Sequence, residues 1–263
     1  MLSLIVCIKQ VPDAHKVRIS GRNGDIDRAG ADNILNPDDL HAIETALSLR
    51  DAYGGRITAL TMGPPQAADV LYEAYALGVD DCVLVSDPAF AGSDTLATSR
   101  VLSRAVTLLA PFDIIVTGRE AIDGNTGHVG YQLSEFLSVP LITRIHDIRI
   151  ESSHAVIERT YGHEHQNIRV SLPVLLSIGR NENRVRTPRL ADISLSADRG
   201  ITRFGLDDIG GSAAEYGGAG SPTIVIDTEI FTHVRGRETL AGSLDEKVDQ
   251  LIHRLKKDDV LRN

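Results

Sequence analysis

The feature that most constrains this chain is the alternation, through its first half, of short continuous apolar runs with longer stretches of helical periodicity. Leu4–Ile8, Ile57–Met62, Asp81–Val85 and Asp113–Thr117 read as strands. Their apolar residues run together without alternating, as suits strands buried on both faces. A helix-like segment follows each, so the expected fold class is α/β, with a doubly wound, mostly parallel sheet covered by helices on both faces. The helices are expected from their ends. Asn36-Pro37-Asp38-Asp39 opens one through about Arg50, with Asn36 as cap, Pro37 in the first turn and two acids at the positive end of the dipole. The next covers Ala67–Leu77 and stops at Gly78. A third starts at Gly92–Thr95, capped by Ser93 or Asp94, and extends to about Leu109. A fourth follows Gly124–Gly127 and continues to about Leu137. Val17–Ile19 and Asp25–Asp27 flank Gly21–Gly24 as a small surface hairpin.

The pattern then changes. Ile148–Ile150, Val156–Tyr161, Asn167–Ser171 and Val174–Ile178 read as strands, and Val185–Arg199 is a mixed, basic-leaning stretch. Gly210-Gly211 and Gly217–Pro222 mark a flexible region, and Leu244–Leu255 is an amphipathic helix. The expected organisation is a core over residues 1–180 and a C-terminal arm over 181–263. The arm is too poor in core residues to fold alone and is expected to dock on a partner.

A formal charge of −9 argues against a large nucleic-acid footprint, and only six Tyr, five Phe and no Trp are available to stack bases. No apolar run approaches the roughly 20 residues of a membrane span. The apolar N-terminus lacks a basic leader and a cleavage site, so it reads as a first strand and not a signal peptide. Cys7 and Cys82 both lie in strand-like runs, which predicts buried, reduced thiols and a cytoplasmic setting.

In a doubly wound sheet, ligands bind outside the carboxyl ends of the strands. Here those ends lead into Lys9–Asp13, Met62–Pro65, Ser86–Asp94 and Gly118–Gly127. Gly124-Asn125-Thr126-Gly127-His128 reads either as a phosphate cradle at a helix N-terminus or as ordinary helix capping. Asn36–Asp39 has the same duality, as a capped helix start or as a contact to a ribose or adenine edge. Asp94, Thr95 and Thr98 share one face of a helix start, with more hydroxyls nearby than capping needs. No P-loop, no G-x-G-x-x-G after the first strand and no G-x-S-x-G elbow is present. His163-Glu164-His165 reads as polar hairpin surface in preference to a metal site. No nucleophile or acid partner stands near His128, so a binding site without catalytic residues is expected.

Five ordered motifs resemble electron-transfer flavoprotein β subunits. They are Val6-Cys7-Ile8-Lys9-Gln10-Val11-Pro12-Asp13, Asn33-Ile34-Leu35-Asn36-Pro37, Thr61-Met62-Gly63-Pro64-Pro65, Ala91 through Ser99, and Gly118 through Gly124. The resemblance implies a Rossmann-like fold of the nucleotide-α-hydrolase type, and a heterodimer with a larger α subunit that carries its own FAD. The β subunit of this family holds a second adenine nucleotide. In the respiratory type it is structural AMP; in the electron-bifurcating and nitrogen-fixation-associated types it is a second FAD that accepts a hydride from NADH and splits its electrons. The family's nucleotide contacts carry over onto Cys7, Asn36, Pro37, Asp38, Asp39, Met62, Gly63, and Asp123, Gly124, Asn125, Thr126, Gly127, His128 and Val129. The segment containing Asp94, Thr95 and Thr98 resembles the bifurcating types. Glu120 and Asn125 stand where relatives usually have Gln and Asp. The resemblance further implies that the arm meets the α subunit and an acyl-CoA dehydrogenase-like or quinone-reductase partner. Leu195-Ser196-Ala197-Asp198 replaces a lysine-rich run there. An ATP-using enzyme of the wider fold group would want Ser-Gly-Gly-x-Asp-Ser where this chain has Lys9-Gln10-Val11-Pro12-Asp13.

Overall fold

A computed structural model of the chain describes residues 1–13, 18–20, 25–27, 33–180, 182–224, 226, 239–258 and 260. In chain order its strands are β1 (Leu2–Cys7), β2 (Gln10–Pro12), β3 (Arg18–Ser20), β4 (Asp25–Asp27), β5 (Asn33–Leu35), β6 (Gly55–Met62), β7 (Asp81–Val85), β8 (Ile114–Gly118), β9 (Leu141–Thr143), β10 (Ile145–Glu151), β11 (His154–Tyr161), β12 (Glu164–Ser171), β13 (Val174–Ile178) and β14 (Thr202–Phe204). The helices are α1 (Pro37–Tyr53), α2 (Ala68–Leu77), α3 (Thr95–Leu108), α4 (Val129–Leu137), α5 (Leu190–Ser196), α6 (Leu206–Ile209) and α7 (Leu244–Lys257).

Seven strands form one parallel sheet in the order β14-β7-β6-β1-β8-β13-β9. The chain starts at the centre with β1 and steps outward through β6 and β7. It then crosses back to lay β8 on the other side of β1. That reversal is a topological switch point between β1 and β8. The continuous apolar runs are explained by burial on both sides. Leu4 and Val6 of β1 pack with Ile43, Ala46 and Leu47 of α1 and Val70, Leu71 and Ala74 of α2. Ile5 and Cys7 pack on the opposite face with Val101, Leu102 and Val106 of α3 and Leu133 of α4. Full burial of one such aliphatic side chain is worth about 1.5–3 kcal/mol.

The helix ends follow local chemistry, with one correction. Gly78 ends α2 in the left-handed region, and Asp94 caps α3 by accepting from Leu96 N and Ala97 N, both at 3.0 Å. Asn36, expected to cap α1, makes no side-chain cap there. Its amide reaches the loop after β8 instead.

Strands β10, β11 and β12 form an antiparallel meander. Ile148, Ile157 and Ile168 are in register across it and join the α1–α2 core; ion pairs such as Arg149–Glu158 occupy the other face. Of the small hairpin read at Val17–Asp27, the two strands are present as β3 and β4, antiparallel with Arg18 opposite Asp27; Val17 and the connecting residues 21–24 lie outside the described residues. Among the described residues no cluster of metal-ligating side chains occurs.

Beyond residue 180 the chain remains with the core for longer than composition indicates. Strand β14 adds an edge to β7, α5 lies against α2, and Tyr216 is fully buried edge-on to Phe90 at 5.6 Å. One compact unit spans Met1–Val225, and a second, Ile226–Asn263, holds α7. Helix α7 opens with a Ser243–Glu246 capping box and presents Leu244, Val248, Leu251 and Ile252 exposed along its apolar stripe. No helix among the described residues is long and apolar enough to cross a membrane.

Candidate functional site

A cavity of about 1100 Å³ opens at the carboxyl end of the sheet, over the switch point. Its volume is slightly above the range of about 300–1,000 Å³ usual for small-molecule sites. Its floor is Cys7 at the end of β1 with Ile8 and Lys9 just after it, and the end of β8 (Thr117, Gly118). One wall is the loop from Arg119 to the first turn of α4, and the other is the loop after β7 with the first turn of α3. Met62 and Gly63 contribute from the end of β6.

The residues expected from sequence divide into those that face this space and those that serve the scaffold. Cys7, Met62, Gly63, Asp94, Thr95, Thr98 and the whole run Asp123–Val129 line it, as do Asn36 and Asp39. Pro37 and Asp38 do not. Pro37 begins α1, and Asp38 is buried beneath it, accepting from Arg180 Nε at 2.7 Å. Asn36 donates to Glu120 O (2.9 Å) and accepts from Ile122 N (3.2 Å), so both ends of its amide hold the loop after β8. Asp39 accepts from Lys9 N (2.7 Å) and Gly118 N (3.1 Å). One carboxylate thereby ties together the two strands that part at the switch point.

Burial dominates the electrostatics of the floor. It pushes the Asp39 carboxyl up to about 7, against the hydrogen bonds from Asn36, Lys9 and Gly118, which act the other way. Burial, reinforced by the Asp39 charge, pushes the Cys7 thiol up to about 12, so Cys7 is a protonated, inert wall group. Nearer solvent, Lys9 Nζ pairs with Asp123 at 2.7 Å and links the loops after β1 and β8. At the α3 end, burial works against the Asp94 charge. The N–H groups of Ala97, Thr223 and Leu96 outweigh it and hold this carboxyl below the usual range.

The loop ahead of α4 has the geometry of an anion cradle. Gly127 sits at φ +64°, and Gly124 has open space where a side chain would lie. His128 gives α4 no side-chain cap, so the first-turn N–H groups and the positive end of the helix dipole remain available to a phosphate. Such a donor set suits a phosphate-bearing group, and Thr95 and Thr98 line the same cavity from the start of α3, where Ser99 Oγ donates to Val129 O of α4 at 3.4 Å.

Thr117, Arg203 and Thr223 are among the lining residues that the expected contacts did not include, although Gly220-Ser221-Pro222-Thr223 is one of the segments that resemble the bifurcating types. Thr117 reads only as a strand residue, Arg203 lies on the three-residue strand β14, and Thr223 lies past the glycine-rich segment. Thr223 reaches the site because its N–H donates to Asp94 Oδ2 (3.0 Å) and Ser221 Oγ accepts from Asp94 N (2.7 Å). No local pattern signals these long-range contacts.

A parallel sheet wound in both directions from its centre, with a cavity at its switch point, defines a Rossmann-like α/β protein. Residues 24–208 match the electron transfer flavoprotein domain, and the chain belongs to that family. It is 37% identical over 261 residues to the electron transfer flavoprotein subunit beta of Thermoanaerobacterium thermosaccharolyticum, covering 99% of this chain and 100% of that one. It is 36% identical to the caffeyl-CoA reductase-Etf complex subunit CarD of Acetobacterium woodii, over 99% of this chain and 100% of the relative. Protein FixA of Bradyrhizobium diazoefficiens is 39% identical over 84% of this chain and 80% of its own length.

Proposed function

We propose that this chain is the FAD-binding β subunit of a heterodimeric, bifurcating electron-transfer flavoprotein. Its complex takes electrons from NADH and delivers them to the α-subunit FAD and to a partner dehydrogenase, acyl-CoA dehydrogenase-like or a quinone reductase. The observation that carries this reading is the size of the cavity, about 1100 Å³, lined by both the uncapped start of α4 and the hydroxyl-bearing start of α3. That volume favours FAD over AMP as the occupant. The relatives named as a caffeyl-CoA reductase-Etf subunit and as FixA support it.

The residues divide the work. Backbone N–H groups from Asn125 to Val129 hold the pyrophosphate, Asn36 and Asp39 shape the adenosine end, and Asp94, Thr95 and Thr98 border the flavin end. Bound FAD supplies the redox chemistry, and the chain supplies orientation and electrostatics with no catalytic side chain of its own. The C-terminal arm docks on the α subunit, as the exposed stripe of α7 supports. The buried, unpaired thiols of Cys7 and Cys82 fit a reducing cytoplasm.

The test is the nucleotide released by acid from the complex purified with its α subunit. A second FAD per heterodimer is expected. One FAD with one AMP overturns the FAD assignment and leaves a single-flavin carrier.

A further inference from the structure

We propose that Thr117 is a ligand-contacting residue whose hydroxyl donates to a phosphate oxygen of the nucleotide seated at the start of α4. The proposal rests on the nucleotide-binding reading above and adds to it a side chain beneath the phosphate.

Thr117 occupies the carboxyl end of β8, in register with Cys7 of β1 and Ser177 of β13. It is 5% exposed, yet it lines the cavity. Its Oγ1 is buried without a hydrogen-bond partner among the described residues. Native structures rarely leave a buried hydroxyl in that condition, and a strand facing only apolar neighbours would be served as well by valine. Thr61 on β6 is a useful contrast. Its hydroxyl is also buried and unpartnered, but Thr61 does not line the cavity.

What lies above Thr117 gives its hydroxyl a destination. The first turn of α4, a nine-residue helix, has no side-chain cap, so N–H groups and the positive dipole end face the same cavity. Within that turn stands Gly130, where a Cβ would come within 3.1 Å of Thr117 Oγ1. Glycine at this position leaves the hydroxyl room to rotate toward the cavity. A threonine hydroxyl carries one donor and adopts whichever staggered position meets its acceptor. A phosphate oxygen held by the helix end is an anionic acceptor, the kind for which a neutral donor gains most.

The test uses the heterodimer stripped of nucleotide, with ADP and adenosine as probes in calorimetry. Thr117→Val is expected to weaken ADP by roughly ten- to a hundredfold, while Thr117→Ser stays within about threefold of the wild type. Thr61→Val is expected to bind ADP as the wild type does. Adenosine, which has no phosphate, is expected to bind wild type and Thr117→Val alike. Without ligand, the valine variant should melt at or above the wild-type temperature, because an unpaired hydroxyl has been removed. If it fails to fold, Thr117→Ala supplies the same comparison with no added bulk. Wild-type ADP affinity in the valine or alanine variant overturns the assignment of Thr117 alone. A wild-type complex that binds neither ADP nor FAD overturns the nucleotide-binding reading, and the Thr117 assignment with it.

Discussion

At the amino end of the central sheet, carboxylates from the connecting loops meet the first N–H groups of the strands. Asp113 Oδ2 accepts from Ser3 N at 2.8 Å, and Asp80 Oδ2 accepts from Ile57 N at 2.9 Å with Arg50 beside it at 3.3 Å. At the carboxyl end Asp39 plays the same part between β1 and β8. The environments differ. The Asp80 side chain is 34% exposed and has an arginine partner, whereas Asp39 is 5% exposed and its carboxylate accepts from backbone N–H groups, with no ion pair among the described residues. One end of the sheet therefore has a partly solvated carboxylate paired with an arginine. The other holds a buried carboxylate under a cavity, and there burial raises its proton affinity. The desolvated carboxylate sits where a ligand can meet it.

Glycine substitution gives the largest expected effect that separates the two ends. Gly54 at the amino end (φ +70°) and Gly127 at the cavity (φ +64°) both adopt a backbone that L residues disfavour. Valine at either is expected to cost about 1–2 kcal/mol of stability in denaturant unfolding. Only Gly127→Val is expected to remove the bound nucleotide as well. Unchanged flavin content in that variant would remove the loop before α4 from the binding site.

The second effect is a pH dependence. The Asp39 carboxyl rises from 3.8 to about 7 on folding. Between those values the folded chain binds more protons than the unfolded one, so this group's contribution to stability falls as pH rises from about 4 to 7 and is level above. Asp39→Asn removes that contribution. It also leaves the N–H of Lys9 or of Gly118 without its acceptor, a cost of roughly 1–3 kcal/mol. The variant is expected to melt lower than wild type at pH 5, with the gap narrowing toward pH 7. Parallel melting curves across that range would show that Asp39 is not the proton-binding group.

The smallest effect tests whether proximity to the cavity activates a thiol. Cys7 ends β1 beside the cavity, and Cys82 lies near the start of β7, donating to Leu71 O at 3.4 Å. Burial pushes each up to about 12. Iodoacetamide at pH 8 is therefore expected to label neither in the folded complex and both after unfolding. Fast modification of Cys7 alone would mean that solvent reaches the floor of the cavity.

Much of the fold was legible because it depends on local chemistry. Apolar runs marked β1, β6, β7, β8 and β13, and the αL glycine at 78 and the cap at Asp94 marked helix ends. The boundary at residue 180 follows composition, while β14, α5 and the buried Tyr216 lie beyond it within the first compact unit. Three-residue strands such as β9 and β14 carry too little periodicity to be read before their neighbours are in place. The same holds for Asn36: its type and its position before Pro37 are those of a cap, but a loop more than eighty residues away offers its amide two partners at once.

The sequence alone determined the alternation of elements, the polar loops at the strands' carboxyl ends and the residue types at the cavity, because periodicity and capping act over a few neighbours. Only the tertiary structure decided which strands flank the switch point, that Asp39 bridges them, and that Thr223 and Arg203 close the site. Those outcomes depend on parallel pairing across long separations, and the chain encodes them only through the shape of the packed core.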